Sequence, residues 1–166
     1  MFFVRTASER DLPFVRDILV ETWHATYDDI YGVEKVNEIT SSWHSLDRLS
    51  ANRDRPNSEF LVADNGDVVG GMAYATQEEK IIKLHQLYVL PKYHGGKTGL
   101  HLLIEIENSF MDAETVSLEV EALNEKAIGF YQKYGFKVVG ETQNCGREGS
   151  GIPALIMEKS ITYAED

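Results

Sequence analysis

The sequence predicts a mixed α/β (α+β) fold: one central sheet of about six to seven strands, flanked by about four helices, in the order β-αα-βββ-α-β-α-β-β. Three observations predict it. Segments with period-2 apolar alternation take turns along the chain with segments of helical spacing. Clusters of Gly, Pro, Asn and Asp separate most of them and carry turn chemistry. At 166 residues, 43% apolar and 26% charged, the chain is long enough for one sizeable core and reads as a single domain over residues 1–166.

Taken in order, Phe2-Phe3-Val4-Arg5-Thr6 is a short β-type run. Ser8 is placed to cap a helix, with Asp11 three residues on completing a capping-box pair and Pro13 in the first turn. Phe14, Ile18, Leu19 and Thr22 continue that helix to about Tyr27, and Gly32 breaks it. Val33, Val36, Ile39 and Trp43 form a second helical pattern, and the polar stretch 52–57 reads as a loop. Phe60–Ala63 and Val68–Tyr74 are strands, joined by the hairpin-type turn Asp64-Asn65-Gly66-Asp67. Ile81 to Leu90 is a third strand, stopped by Pro91. After the glycine loop 95–99, Leu102, Leu103, Ile106 and Phe110 mark an amphipathic helix. Val116, Leu118 and Val120 alternate with Ser117, Glu119 and Glu121 in a half-buried strand. Asn124 opens a helix carrying Ala127, Ile128, Phe130 and Tyr131, and Gly135 ends it. Phe136–Val139 and Ala154–Met157 are the closing strands.

Lys and Arg total 16 against 27 Asp and Glu, a net charge of −11. Such a balance argues against a non-specific nucleic-acid binder and against docking on anionic membranes. It favours solubility and, secondarily, a cationic partner. Cys145 is the only cysteine, so no intramolecular disulfide or Cys-based metal centre forms, and a cytoplasmic protein is expected. No signal-peptide apolar region follows Phe2-Phe3-Val4, and no apolar run is long enough for a membrane helix. The histidines at 24, 44, 85, 94 and 101 show no metal-ligand spacing, and no metal is expected.

The strand–glycine–helix run after Pro91 has the chemistry of an anion site: glycines admit close backbone approach, and free N–H groups at a helix start point outward. Gly96-Lys97-Thr98 is not a P-loop, because position 91, where a P-loop has its first glycine, is proline. There is no GxGxxG either. The segment Leu87-Tyr88-Val89-Leu90-Pro91-Lys92-Tyr93-His94-Gly95-Gly96-Lys97-Thr98-Gly99 instead resembles the acyl-CoA-binding motif of the GNAT N-acyltransferases. His94 stands at that motif's Gln/Arg position and Lys97 at its first glycine, while Gly99 keeps the signature type. The stretch Leu118 to Phe136, with Asn124 followed by Ala127-Ile128-Gly129-Phe130-Tyr131-Gln132-Lys133-Tyr134-Gly135-Phe136, is similar to a second GNAT stretch. The segments Arg5–Pro13 and Trp23–Tyr27 resemble the family's opening strand and first helix.

The resemblance implies the GNAT fold, acetyl-CoA as co-substrate, and direct transfer of its acetyl group to a primary amine in a ternary complex. An alkylamine arrives protonated, with a pKa of about 10.4, so a base is required. Glu119 is the leading candidate: it lies on the polar face of its strand, twelve residues before Tyr131, the spacing found in GNAT enzymes that acetylate ribosomal-protein N-termini. Tyr131 matches the family's general acid for the leaving thiolate. His85, on the strand before the glycine loop, is a competing base. Asn124 matches the residue that hydrogen-bonds the pantetheine arm, and it is also a good helix N-cap. The backbone of Leu87, Tyr88 and Val89 would pair with pantetheine, and His94, Gly95, Gly96, Lys97, Thr98 and Gly99 would hold the pyrophosphate. Lys97 and Lys126 bracket a stretch with seven acids and no other Lys or Arg, and are expected to supply charge to the CoA phosphates. Trp23 and Tyr27, spaced i,i+4, are candidates both for the acceptor site and for the core. Acceptor choice is expected in the region from Trp23 to Asn57 and around Asn144 to Gly151. The acceptor itself, a small molecule or a peptide amine, is not legible. A catalytically silent acyl-CoA-binding module is the second reading, and family members are frequently homodimers.

Overall fold

The computed structural model describes residues 1–145 and 150–161. Its strands are β1 (Phe3–Thr6), β2 (Ser58–Asp64), β3 (Val69–Glu78), β4 (Ile81–Val89), β5 (Thr115–Glu121), β6 (Lys137–Thr142) and β7 (Ala154–Ser160). Its helices are α1 (Leu12–Tyr31), α2 (Val33–Trp43), α3 (Leu46–Asp54), α4 (Thr98–Asn108) and α5 (Glu125–Lys133). The strands follow the order β1-β2-β3-β4-β5-β7-β6. β4 and β5 run parallel, while β1–β2, β5–β7 and β6–β7 are antiparallel, so the sheet is mixed as expected. Among the described residues no helix is long and apolar enough to cross a membrane.

Two elements depart from the sequence expectation. α3 was not anticipated, and Asn52–Asp54, expected in a loop, form its last turn. Only Leu49 of this helix is buried, so it offered no apolar stripe to read. Its start is local chemistry: the Ser45 hydroxyl oxygen accepts the Arg48 N–H at 3.3 Å. α1 also runs a full turn beyond Tyr27, because Gly32, at φ +86°, is where the left-handed backbone stops it.

The chain divides into two compact units. The first comprises residues 1–75 and 86–109. Its core gathers Val15, Ile18 and Leu19 of α1, Leu49 of α3, and Phe60, Val62, Met72 and Tyr74 of β2 and β3. Arg5 braces the start of α1, donating to Asp11 at 2.8 and 2.9 Å and to Asp64 at 3.0 and 3.1 Å. The Ser8 N–H also donates to Asp11, at 2.7 Å. The Arg5 guanidinium holds the Asp11 carboxyl down at about 2.

The second unit comprises residues 76–85 and 110 onward. In it, the parallel β4–β5 ladder runs from Ile81↔Thr115 to Leu84↔Leu118. β7 pairs with β5 along its whole length, from Thr115↔Ser160 to Glu121↔Ala154. Ile82, Leu84, Val116, Leu118, Val120, Phe136 and Met157 are buried.

Candidate functional site

The sequence-predicted residues fall into two groups, one in each unit. In the first unit β4 ends at Val89, and the Leu90 N–H donates to Gly70 O at 2.9 Å. Gly70 has to be glycine: a Cβ there would stand 2.6 Å from the Phe2 ring and 2.9 Å from Tyr93. That close approach seats Tyr93 against Phe2, ring centroids 4.8 Å apart, and fixes the start of the loop. Pro91–Tyr93 makes one short 3-10 turn, closed by His94 N–H to Pro91 O at 3.1 Å. The His94 imidazole then folds back, Nε2 donating to the Val89 carbonyl at 2.7 Å. In this geometry His94 braces the loop onto the last carbonyl of β4.

His94, Gly95, Gly96 and Lys97 are exposed, while Thr98 is buried. Gly95 stands at φ +87° with open space on its Cβ side. Lys97 takes φ +63°, ψ +9°, a left-handed conformation, and is the N-cap of α4. The position where the family motif has glycine thus has the backbone that favours glycine, with a lysine in it. The first helical bond of α4 is His101 N–H to Lys97 O at 3.0 Å, so the N–H groups of the opening turn have no partner within the helix. With the partial positive charge of an eleven-residue helix behind them, these N–H groups, preceded by the exposed Gly95 and Gly96, fit a pyrophosphate.

In the second unit β5 carries Glu119 on its exposed side, and α5 follows after a three-residue turn closed by Asn124 N–H to Glu121 O at 2.9 Å. Asn124 is the N-cap of α5, its Oδ1 accepting the Ala127 N–H at 3.1 Å. Lys126 is exposed on the first turn. Tyr131 is buried, its ring edge-on to Phe130 and Phe136 at 5.3 Å. Burial, and after it the Glu121 charge, hold its phenol well above the ordinary value.

Glu121, by strand period a solvent-facing carboxylate like Glu119, is placed differently by the structure. Strand alternation puts it on the same exposed face as Glu119, yet it is only 7% exposed. Tertiary contacts explain this: the chain after β6 returns over the end of β5. The Cys145 thiol donates to Glu121 Oε1 at 3.8 Å, the Cys145 N–H bonds Ile152 O at 2.8 Å, and the Ala122 N–H bonds Pro153 O at 3.1 Å. Burial first, then Glu121 and Glu119, push the Cys145 thiol up, so it is no nucleophile. Only the charge of Glu121, unusual at a covered strand end, could have signalled the site in the sequence.

His85, the competing base, has Nε2 2.7 Å from Thr76 Oγ1. Trp23 and Tyr27, expected either at the acceptor site or in the core, are 2% and 1% exposed. Their rings lie 4.5 Å apart, and Trp23 also meets Trp43 and His44 edge-on at 5.7 and 5.8 Å. In this structure both are buried in the first unit. Burial, helped by Arg16, lowers His44 to about 4, so it is neutral at physiological pH. Of the expected acceptor loop 144–151, residues 146–149 lie outside the described residues. Among the described residues no three His, Cys, Asp or Glu side chains gather as a metal site.

Comparison with known proteins places these features in a family. The model of the acetyltransferase (GNAT) family matches residues 12–136. The chain is 28% identical to spermidine N(1)-acetyltransferase of Thermoplasma acidophilum over 141 residues, 81% of this chain and 88% of that one. Its structure is similar to the crystal structure of PaiA N-acetyltransferase from Thermoplasma acidophilum in complex with coenzyme A. The TM-score is 0.85 at 27% identity, covering 97% of this chain and 99% of that chain. Ribosomal-protein-alanine N-acetyltransferase from Brucella melitensis shares the fold, with a TM-score of 0.72 at 24% identity over 96% and 99% of the two chains.

Proposed function

Because the chain belongs to the GNAT acetyltransferase family and is an acyl-CoA-dependent N-acetyltransferase, we propose that it transfers acetyl directly from acetyl-CoA to a primary amine in a ternary complex. The observation that carries this reading is the chemistry of one β-turn-α segment: an exposed carboxylate, Glu119, on β5, and a buried, neutral phenol, Tyr131, on α5.

Glu119 takes a proton from the ammonium and leaves a nucleophilic amine. As the C–N bond forms and the C–S bond breaks, the electron pair leaves on sulfur, and the Tyr131 hydroxyl donates to it. A cysteine-type thiol has a pKa of about 8.5, far below this phenol. Tyr131 therefore stabilises the sulfur by hydrogen-bond donation rather than by surrendering its proton. The second proton lost by the nitrogen balances the one the thiol gains, giving amide and CoA. Leu87, Tyr88 and Val89 offer backbone groups to the pantetheine arm, Asn124 its side chain, and residues 94–99 the pyrophosphate cradle, with charge from Lys97 and Lys126.

The acceptor we infer is a cationic amine of polyamine type. The spermidine acetyltransferase relative and the net charge of −11 both favour it. Thiol release from acetyl-CoA across a panel of polyamines, amino acids and peptide N-termini tests the proposal. Turnover should be fastest with polyamines and fall with salt more steeply than for neutral acceptors. Acetyl-CoA binding without turnover on any amine, and no loss on Tyr131→Phe, would establish the silent binding module instead.

A further inference from the structure

We propose that His94 binds the cofactor's pyrophosphate as an imidazolium, so that acetyl-CoA binding takes up a proton at one nitrogen, His94 Nδ1. The inference deepens the acyl-CoA reading and rests on residues 94–99 being the pyrophosphate cradle.

The first observation is a hydrogen bond with one possible direction. His94 Nε2 stands 2.7 Å from the Val89 carbonyl oxygen. A carbonyl only accepts, so Nε2 carries a proton whether the ring is neutral or charged. The nitrogen that changes with pH is therefore Nδ1, a lone pair in the neutral ring and an N–H donor in the cation. A lone pair repels a phosphate oxygen, whereas the imidazolium N–H makes a charge-assisted bond to it. The same bond fixes the place of the ring. It is tied to the last residue of β4, on an exposed residue that leads directly into Gly95, Gly96 and the open N–H groups of α4.

The second observation is charge. From Lys80 to Ile104 there is no Asp or Glu, in a chain of net charge −11. Lys92, Tyr93, Lys97 and His101 are the other charged or titratable groups of the loop and the first turn of α4. Tyr88 of β4 and Tyr93 pack against the core of the first unit. Asp17 and Glu21 of α1, with Asp64 and Asp67 of the β2–β3 turn, line a cleft with Lys92 and Tyr93, and His94 is not part of its wall. The cradle thus lies in the positively charged part of an acidic protein. Imidazole is the group there that gains charge between pH 5 and 8. An arriving polyanion favours the charged ring, and by linkage the proton favours the polyanion equally.

The test is titration calorimetry with dephospho-CoA, which keeps the pyrophosphate and lacks the 3′-phosphate that itself titrates near neutrality. Binding heats are compared in two non-phosphate buffers of equal pH and unequal ionisation heat. The native chain should take up a fraction of a proton per ligand near pH 7, and its Kd should rise about five-fold from pH 6 to pH 8. His94→Gln, which keeps a neutral donor for Val89, should lose the uptake and hold the weaker, alkaline Kd at every pH. His94→Arg should lose the uptake and hold the tighter one. In the native chain, the His94 ring resonance should titrate at higher pH with dephospho-CoA than without it, a readout that needs no variant to fold. Equal proton counts with and without ligand, a ring midpoint that the ligand leaves in place, or uptake that survives in His94→Gln would each overturn the proposal. Failure of the native chain to bind either CoA or dephospho-CoA is the distinct failure of the acyl-CoA reading, and it takes the proposal with it.

Discussion

The Oδ1 of Asn124 accepts the N–H of Ala127 at 3.1 Å, and this bond caps α5. A side chain with one structural task and one proposed binding task can be divided chemically. Aspartate caps as well as asparagine but has no amide N–H to donate. Asn124→Ala should cost about 1 kcal/mol of stability, seen in thermal or urea melts. Asn124→Asp should keep that stability and still raise the KM for acetyl-CoA several-fold. An unchanged KM in Asn124→Asp would reduce Asn124 to a cap.

Lys97 has both a strained backbone and a charge. A left-handed conformation costs an L-residue about 1–2 kcal/mol. Lys97→Gly removes the strain but adds unfolded-state entropy, so stability should change by no more than about 1 kcal/mol, in the stabilising direction. Lys97→Gln keeps the strain and loses the charge. It should raise the KM for acetyl-CoA and flatten its salt dependence, as measured between low and moderate ionic strength. If neither parameter moves, the lysine is solvated surface.

The Arg5–Asp11–Asp64 cluster sets the acid stability of the first unit. Asp11 is depressed to about 2, below its ordinary value of 3.8, chiefly by the Arg5 hydrogen bonds. A depressed carboxylate stabilises the fold above its unfolded pKa, and that stability is lost as pH falls from about 4 to about 2. With Arg5 partly exposed, screening reduces the contribution to about 1–2 kcal/mol. Asp11→Asn should therefore destabilise the protein at pH 7 and approach the native stability in melts near pH 2.

Trp23 separates core from substrate contact. Packed against Tyr27, Trp43 and His44, it should cost about 3–5 kcal/mol on truncation to alanine. Trp23→Phe should lower the melting temperature but leave the KM for the amine within about two-fold at temperatures where the variant is folded. A large rise in that KM with an unchanged melt would place the indole at the acceptor instead.

Glu119 is exposed on β5 and has a chemical task in the proposed mechanism. Glu119→Gln should keep the fold and acetyl-CoA binding, and lower kcat by about 10²–10³. Single-turnover measurement isolates this loss from product release. An unaffected kcat would move the base elsewhere, with His85 next to be tested.

Much of the fold was legible because it is written in local rules. The Ser8–Asp11 cap, the Asp64–Asp67 turn, the Gly32 and Gly135 stops and the alternation of Val116, Leu118 and Val120 each act within a few residues. α3 was not legible, because a single buried leucine carries no period. Glu119, Asn124 and Tyr131 could be named as candidates because spacing along one strand, turn and helix is itself a sequence property. Motif spacing likewise pointed to residue 97, though not to the left-handed backbone its lysine adopts.

Residues joined by distant chain could not be read this way. Glu119 and Glu121 are equivalent by strand period, and only the return of Cys145 and Pro153 over the end of β5 leaves one exposed and buries the other. Trp23 and Tyr27 are equally suited to a core or a substrate wall, and tertiary packing buries both, with Trp43 of α2 edge-on to Trp23. By itself, then, the sequence determined the order of the strands and of every helix but α3, the segment that resembles an acyl-CoA motif, and a short list of chemical groups. Tertiary structure alone decided which of those groups lose their water, since desolvation depends on what covers a side chain, and that cover comes from segments far along the chain.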